Sequence, residues 1–280
     1  MSSPTPLSKI SDKQKSKTKF PTVYDLSSKL FKIILDDFDR TFREYLHGSD
    51  VTKTDKYVRI QSGLPHPIAN LLIARERKNA ELLSKAVEPY CTDEFPSAVA
   101  ILGSVSEEVD EMLKRCDFQL TMAPAMALDL MAMNLSKPDV DCTIQQVGAD
   151  EHELWVDTMA VGYELPRPFA DRFGPGMVAT IAKGDEEYRY FIINHRNRAV
   201  ATAVLIIRNG IIGVYNISTI PDLRGRGVGR FATGEPLRLA REEGYRTAIL
   251  QSSDMGEPVY RRLGFKSYGE IPFYARIPGS

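Results

Sequence analysis

The sequence predicts an α+β protein with a mixed sheet flanked by helices. Three observations carry that expectation. Apolar strand-like segments alternate with amphipathic helical ones along much of the chain. Asn209-Gly210 stands between two long apolar strands and is a strong two-residue hairpin signal. No apolar run reaches the roughly 18 residues that a membrane-spanning helix needs. The chain has 280 residues, enough for one large domain or two small ones. Its 43% hydrophobic and 26% charged residues are ordinary for a soluble globular protein. A formal net charge of −1 supplies no bulk field towards nucleic acid or anionic lipid, and the N-terminus lacks the apolar core of a secretory signal.

Residues 1–20 hold Lys9, Lys13, Lys15, Lys17 and Lys19 with many Ser, Thr and Pro, and read as a disordered, solvated tail. Residues 24–46 read as one amphipathic helix: Leu26, Leu30, Ile34, Phe38, Phe42 and Leu46 recur every four residues, and Gly48 is placed to end it. Strands are expected at 57–61 and 68–73, a helix at 79–90 and a strand at 97–102. A helix at 106–116 has a serine cap and Glu107 and Glu108 in its first turn, followed by one or two strands over 118–131. The polar, proline-containing stretch 134–141 marks a domain boundary. Beyond it come a strand at 143–147, a helix at 150–163 and partial helix over 164–183. Strands follow at 188–194, 199–208 and 211–219, then a glycine-rich loop opening a helix to about Glu243. A strand at 247–251, a helix at 257–263 and a final strand pair over 265–276 complete the chain.

Cys91, Cys116 and Cys142 are odd in number and far apart, so buried free thiols in a reducing compartment are expected rather than a disulfide framework. The four histidines are isolated and offer no metal-ligand spacing.

The segment Pro221 to Arg230 carries the chemistry. Gly225, Gly227 and Gly229 allow positive φ and close backbone approach. Successive N–H groups at a helix N-terminus make an anion site, and Arg224, Arg226 and Arg230 suit a pyrophosphate. From the residues alone two readings compete, a structural glycine turn and a dinucleotide site on the Gly227-x-Gly229 pattern; a third comes from a family resemblance. The dinucleotide reading requires a doubly wound sheet, and only about 50 residues follow the loop, too few to continue one.

Arg224-x-x-Gly227-x-Gly229 resembles the Q/R-x-x-G-x-G/A loop of the GNAT superfamily of N-acetyltransferases. Gly213 to Ile220 is similar to that superfamily's fourth strand, Ala248 to Ser253 to its fifth, and Tyr260-Arg-Arg-Leu-Gly-Phe265 to its tyrosine signature. The resemblance covers roughly 142–277 and implies a mostly antiparallel sheet flanked by helices, acetyl-CoA as donor and a small-molecule or peptide amine as acceptor. It further implies a cytoplasmic enzyme without nucleic-acid or membrane partners. Its cofactor contacts fall on Ile217, Ser218, Thr219, Arg224, Gly225, Arg226, Gly227, Val228, Gly229, Arg230 and Ser253. Tyr260 falls on the general acid. A bulge in the fourth strand is implied, opening a gap for the pantetheine arm. Two positions depart from the pattern: Ser253 replaces an asparagine, and Tyr215 and Asn216 stand where a strand-four carboxylate is usual. Glu164, Asp254 and Glu257 are then the carboxylates left to consider as base. A coenzyme A-binding protein without turnover is the main alternative, and a nicotinamide-dependent oxidoreductase the second.

The first half resembles a worn copy of the second. Lys114 to Phe118 aligns with Arg261 to Phe265, and Pro124 to Ala127 with Pro272 to Ala275 after a one-residue gap. Leu113 then stands in the place of Tyr260, and no glycine–arginine loop precedes it. A degenerate domain over 21–135 and a catalytic one over 142–280 are the expected organisation. Oligomeric state is not legible.

Overall fold

The computed structural model describes residues 20–46, 48–134, 136 and 138–279. The expected tail and its five lysines lie outside the described residues. The chain opens with α1 (Val23–Leu26) and α2 (Leu30–Tyr45). These replace the single helix expected over 24–46. Thr22 and Asp25 form a capping box, and the short α1 stops at a turn through Ser27 and Ser28, residues that compete with the helix for backbone groups. The strands of the first half are β1 (Val51–Lys53), β2 (Tyr57–Ile60), β3 (Leu71–Ala74), β4 (Ser97–Ile101) and β5 (Gln119–Asp129), with α3 (Ala80–Thr92) and α4 (Glu107–Arg115) among them. The stretch expected as a strand from 68 begins instead as a 3-10 turn, Pro67–Asn70, pinned by the buried Asn70 amide, which donates to Leu64 O and Pro96 O.

The second half comprises β6 (Cys142–Gln146), α5 (His152–Tyr163), α6 (Arg167–Ala170), α7 (Phe173–Ala182), β7 (Tyr188–His195), β8 (Arg198–Arg208) and β9 (Ile211–Thr219). It continues with α8 (Val228–Glu242), β10 (Thr247–Gln251), α9 (Glu257–Leu263) and β11 (Lys266–Arg276). Asn209 and Gly210 both take positive φ, as the β8–β9 hairpin requires. The strand pair expected over 265–276 is the single strand β11, with a bulge between Ser267 and Gly269.

All strands join one eleven-stranded sheet in the order β1-β2-β3-β4-β11-β5-β10-β9-β8-β7-β6. It is mixed and mostly antiparallel; β3–β4 and β9–β10 are its parallel pairs. The halves exchange strands at its centre. β11 lies between β4 and β5, while β5 lies between β11 and β10. Neither half's sheet is complete without a strand of the other.

α2 lies across that seam. Leu30, Ile34 and Leu35 bury into the main core, each worth roughly 2 kcal/mol of apolar transfer. Its polar positions tie both halves. Asp39 is fully buried and accepts from Arg43 (2.7 Å) and Arg75 (2.8 Å). Asp37 accepts from Arg208 (2.8 Å) and from the Tyr215 hydroxyl (2.6 Å), and Arg208 also pairs with Glu44. A further bridge, Asp50 to Arg172 at 2.7 and 2.9 Å, joins the β1 loop to the α6–α7 corner, and Arg172 holds the Asp50 carboxyl below its usual range.

One expectation is corrected here. Cys91 and Cys116 are not free thiols but form a disulfide, with Cα atoms 5.1 Å apart, linking the end of α3 to the C-cap of α4. The helices pack side by side over β3 and β4, which brings together cysteines 25 residues apart in sequence. Cys142 is the free cysteine among the described residues.

Candidate active site

The site begins with a fault in β9. Its parallel ladder to β10 runs through Ile211–Thr247, Ile212–Ala248 and Gly213–Ile249, and stops there. On the other side the ladder to β8 slips: Thr202 faces Ser218, yet Val204 faces Tyr215, so Asn216 and Ile217 oppose Ala203 alone. Asn216 takes φ 48°, a conformation asparagine tolerates better than most residues. Such a bulge bends and overtwists its strand, and β9 diverges from β10. The Thr202 hydroxyl holds the bulge from beneath, bonding Asn216 O (2.8 Å) and the Ser218 hydroxyl (2.7 Å). The Ser218 side chain is thereby buried, and residues 217–219 line the gap.

The gap leads to the glycine–arginine loop. Gly225 (φ 72°) and Gly227 (φ 88°) make the turn into α8. Val228, Phe231 and Ala232 bury against the sheet and fix the axis of that helix. The N–H groups of Val228, Gly229 and Arg230 precede any intrahelical acceptor and point out of the helix start, where no acidic residue offsets the positive end of the dipole.

The arginines divide their roles. Arg224 is spent on the protein, donating to Thr219 O (3.2 Å), Gly162 O (2.8 Å) and Glu164 (2.8 Å), so it braces loop, strand and α5. Arg230 donates to Ser136 O (2.8 Å). Arg226 is exposed and, among the described residues, has no ion pair or hydrogen bond. Arg262 joins the cavity wall, a position the sequence reading did not single out.

A cavity of about 590 Å³ runs from this loop through the strand gap. Of the residues expected at the site, Tyr260, Ile217, Ser218, Thr219, Arg224, Gly225, Gly227, Gly229, Arg230 and Ser253 line it. Arg226 stands outside, and Val228 turns into the core. The Ser253 hydroxyl accepts from Gly256 N–H (3.3 Å), which shapes the turn into α9. Tyr260 packs its ring over Gly256, where an added Cβ would stand 2.7 Å from the ring, and its edge meets Phe265 at 5.8 Å between centroids. Burial pushes the phenol up to about 12, so it is protonated at physiological pH. Among the described residues its hydroxyl has no hydrogen-bond partner, leaving it available to the cavity.

The three carboxylates considered as base do not reach the cavity wall. Glu164 is 64% exposed and paired with Arg224, Glu257 pairs with Arg261, and Asp254 is exposed on the surface. His66 lies near Glu164, and burial depresses its pKa despite that neighbour. Its Nδ1 accepts from Ile68 N–H (3.2 Å), so in the neutral ring the other nitrogen carries the proton and cannot accept one. At the end of the cavity away from the loop the walls are Phe38, Phe42 and Tyr45 of α2 with Met159, Tyr163, Leu165, Phe169 and Phe173. The α2 stripe therefore faces the cavity as well as the core at Phe38 and Phe42, and Tyr45 beside it joins the same wall. Among the described residues, no Asp, Glu, His or Lys lines the cavity.

Residues 151–265 match the model of the acetyltransferase (GNAT) family, and the chain carries a GNAT acetyltransferase domain over them. Among solved structures, a GCN5-related N-acetyltransferase from Kribbella flavida is 17% identical, with a TM-score of 0.58, and the match covers 90% of this chain and 96% of that one. A GCN5-related N-acetyltransferase from Sphaerobacter thermophilus is 12% identical over 92% of this chain and 94% of that one, with a TM-score of 0.58. A functionally unknown conserved protein from Staphylococcus epidermidis is 16% identical over 85% and 97%, with a TM-score of 0.54. These likenesses show the fold, and they extend over both halves of the chain. No curated protein matches the chain. Among the described residues, no helix is long and apolar enough to cross a membrane, and no group of side chains could hold a metal ion.

Proposed function

We propose that the chain is an acetyl-CoA-dependent N-acetyltransferase that acylates a primary amine in the cytoplasm. The observation that carries this reading is the splay of β9 from β10 beyond Gly213, opening directly onto the free N–H groups at the start of α8. The residues present suit coenzyme A. The α8 N-terminus with Arg226, Arg230 and Arg262 matches a pyrophosphate, and the unladdered edge of β9 at 217–219 offers backbone groups to a pantetheine amide. Bound acetyl-CoA supplies an activated thioester. The chain's own contributions are a backbone N–H near Ile217 to polarise the carbonyl and the Tyr260 phenol to protonate the leaving sulfur. The exclusion of water by the aromatic walls strengthens both.

The same proposal takes residues 21–135 as a diverged counterpart of 142–280. Adding 147 to the bounds of β5 gives those of β11, and the bulge between Ser267 and Gly269 supplies the one-residue gap between the two proline-containing segments. Leu113 replaces Tyr260 in that register, and the first half would serve as scaffold and substrate wall.

The absence of a lining carboxylate keeps one alternative, a coenzyme A-binding protein without turnover. Calorimetric titration with acetyl-CoA, with NAD as control, tests the reading. Micromolar binding of acetyl-CoA alone is expected. Its loss is expected in Gly227→Asp, which puts a side chain at φ 88° and a negative charge beside the phosphate site. Full affinity in that variant would remove the loop from the site, and binding without hydrolysis or transfer to any amine would leave the non-catalytic alternative.

A further inference from the structure

The chamber beyond the bulge says what kind of amine enters it, and this inference rests on the acyl-transfer reading above. Its rings pack in two groups, all edge to face: Phe38 meets Phe42 at 4.8 Å between centroids, and Phe173 meets Tyr45 at 5.5 Å and Phe169 at 5.9 Å. α2 supplies one wall and α6–α7 the other. The formal charges lining the cavity are those of Arg224, Arg230 and Arg262, and all are positive.

Two physical consequences follow. An ammonium ion entering this chamber loses its water and meets no lining carboxylate; ring faces return part of that loss, while the three lining arginines add repulsion. A polyamine, an aminoglycoside or a lysine side chain is therefore disfavoured. Secondly, no lining side chain can take a proton from an ammonium at neutral pH, and with a pKa of about 10 only about one alkyl amine in a thousand is neutral at pH 7. The acceptor nitrogen must arrive already neutral.

We propose that the acceptor is an aromatic amine of low basicity, its ring seated between the α2 and α6–α7 aromatics and its uncharged nitrogen directed at the β9 bulge. The nitrogen lone pair attacks the thioester carbonyl carbon, an N–C bond forms and the C–S bond breaks. The nitrogen loses one proton and the sulfur gains one. Tyr260 donates to the sulfur and is refilled by the proton released from nitrogen, so the sum is amine plus thioester to amide plus thiol.

The test presents the full chain and acetyl-CoA with p-toluidine, spermidine and a lysyl peptide, and reads each product by mass spectrometry. Acetyl-CoA affinity is measured by calorimetry in parallel. A kcat/KM for p-toluidine about 100-fold or more above both cationic amines is expected, because no lining carboxylate pairs with their charge and no lining base removes their proton. Phe42→Ala and the milder Phe173→Leu are each expected to raise the p-toluidine KM about tenfold or more through lost ring contact, with acetyl-CoA affinity unchanged. Acetyl-CoA binding with a preference for spermidine or the lysyl peptide, or with no acylation of p-toluidine, would overturn the acceptor class alone. Failure to bind acetyl-CoA would instead remove the reading beneath it, and the acceptor class with it.

Discussion

Burial suits Tyr260 to the acid half of the proposed transfer. Its phenol, held at about 12, keeps its proton throughout the pH range in which a thiolate would leave. Tyr260→Phe removes that proton and leaves the ring packing on Gly256 and Phe265. The expected result is a 10²- to 10⁴-fold fall in kcat, the usual range for a lost general acid, with acetyl-CoA affinity unchanged; kcat equal to that of the parent would reduce Tyr260 to a packing residue. The same shift has a sign for stability. With an unfolded value near 10 and a folded value near 12, the folded state holds the proton longer, so this contribution is complete below about pH 10 and is lost as pH rises towards 12. Denaturant titrations of parent and Tyr260→Phe between pH 9 and 11 check it: the parent should lose stability faster. Tyr260 and the loop glycines were legible in sequence because their chemistry is local. Phe38, Phe42 and Tyr45 were not, because a helix stripe looks the same whether it faces a core or a cavity.

Among the elements, the boundaries of β9, β10 and α9 follow from local signals: Asn209-Gly210 before β9, apolar runs within, and Gly264 (φ 104°) closing α9. β11 was misjudged as a hairpin because both its partners, β4 and β5, lie more than 130 residues away, and no local pattern encodes a strand exchange. α2 depends on tertiary partners in the same way. Asp37 anchors it to Arg208 and Tyr215, both buried, so Asp37→Ala leaves a guanidinium and a phenol without this acceptor. A loss of about 3 kcal/mol is expected in chemical denaturation, the low end for breaking a buried pair, since Glu44 still faces Arg208. A change under 1 kcal/mol would show the network to be dispensable. The disulfide was equally invisible, since an odd count of distant cysteines favours free thiols. Closing a loop of 25 residues is worth about 3 kcal/mol. Thiol titration of the unreduced, denatured protein should find one thiol, Cys142, and reduction should lower the melting temperature. Three titratable thiols would contradict the pairing.

For the whole molecule, the exchange of β5 and β11 decides whether the halves can live apart. A chain of 142–280 alone would present β10 without β5 along one edge and β11 without either neighbour, losing three ladders and leaving the apolar faces of Ile249, Ile271 and Tyr274 in water. A chain of 21–135 would lack β11, which covers the edges of both β4 and β5. α2 adds to this dependence, because its buried carboxylates bind arginines of both halves and its aromatic turns line a cavity whose opposite end is the α8 loop. Size alone would allow two domains of ordinary length, so any dependence of one half on the other comes from the pairing and not from chain length. The intact chain is expected to unfold in one cooperative transition, with calorimetric and van't Hoff enthalpies equal. The two fragments are expected to be insoluble or molten when made singly and to recover native near-UV dichroism only when refolded together. A soluble 142–280 fragment that binds acetyl-CoA as the whole chain does would show that the second half can complete its sheet unaided. The exchanged strand would then be a join between finished domains rather than part of either one's core.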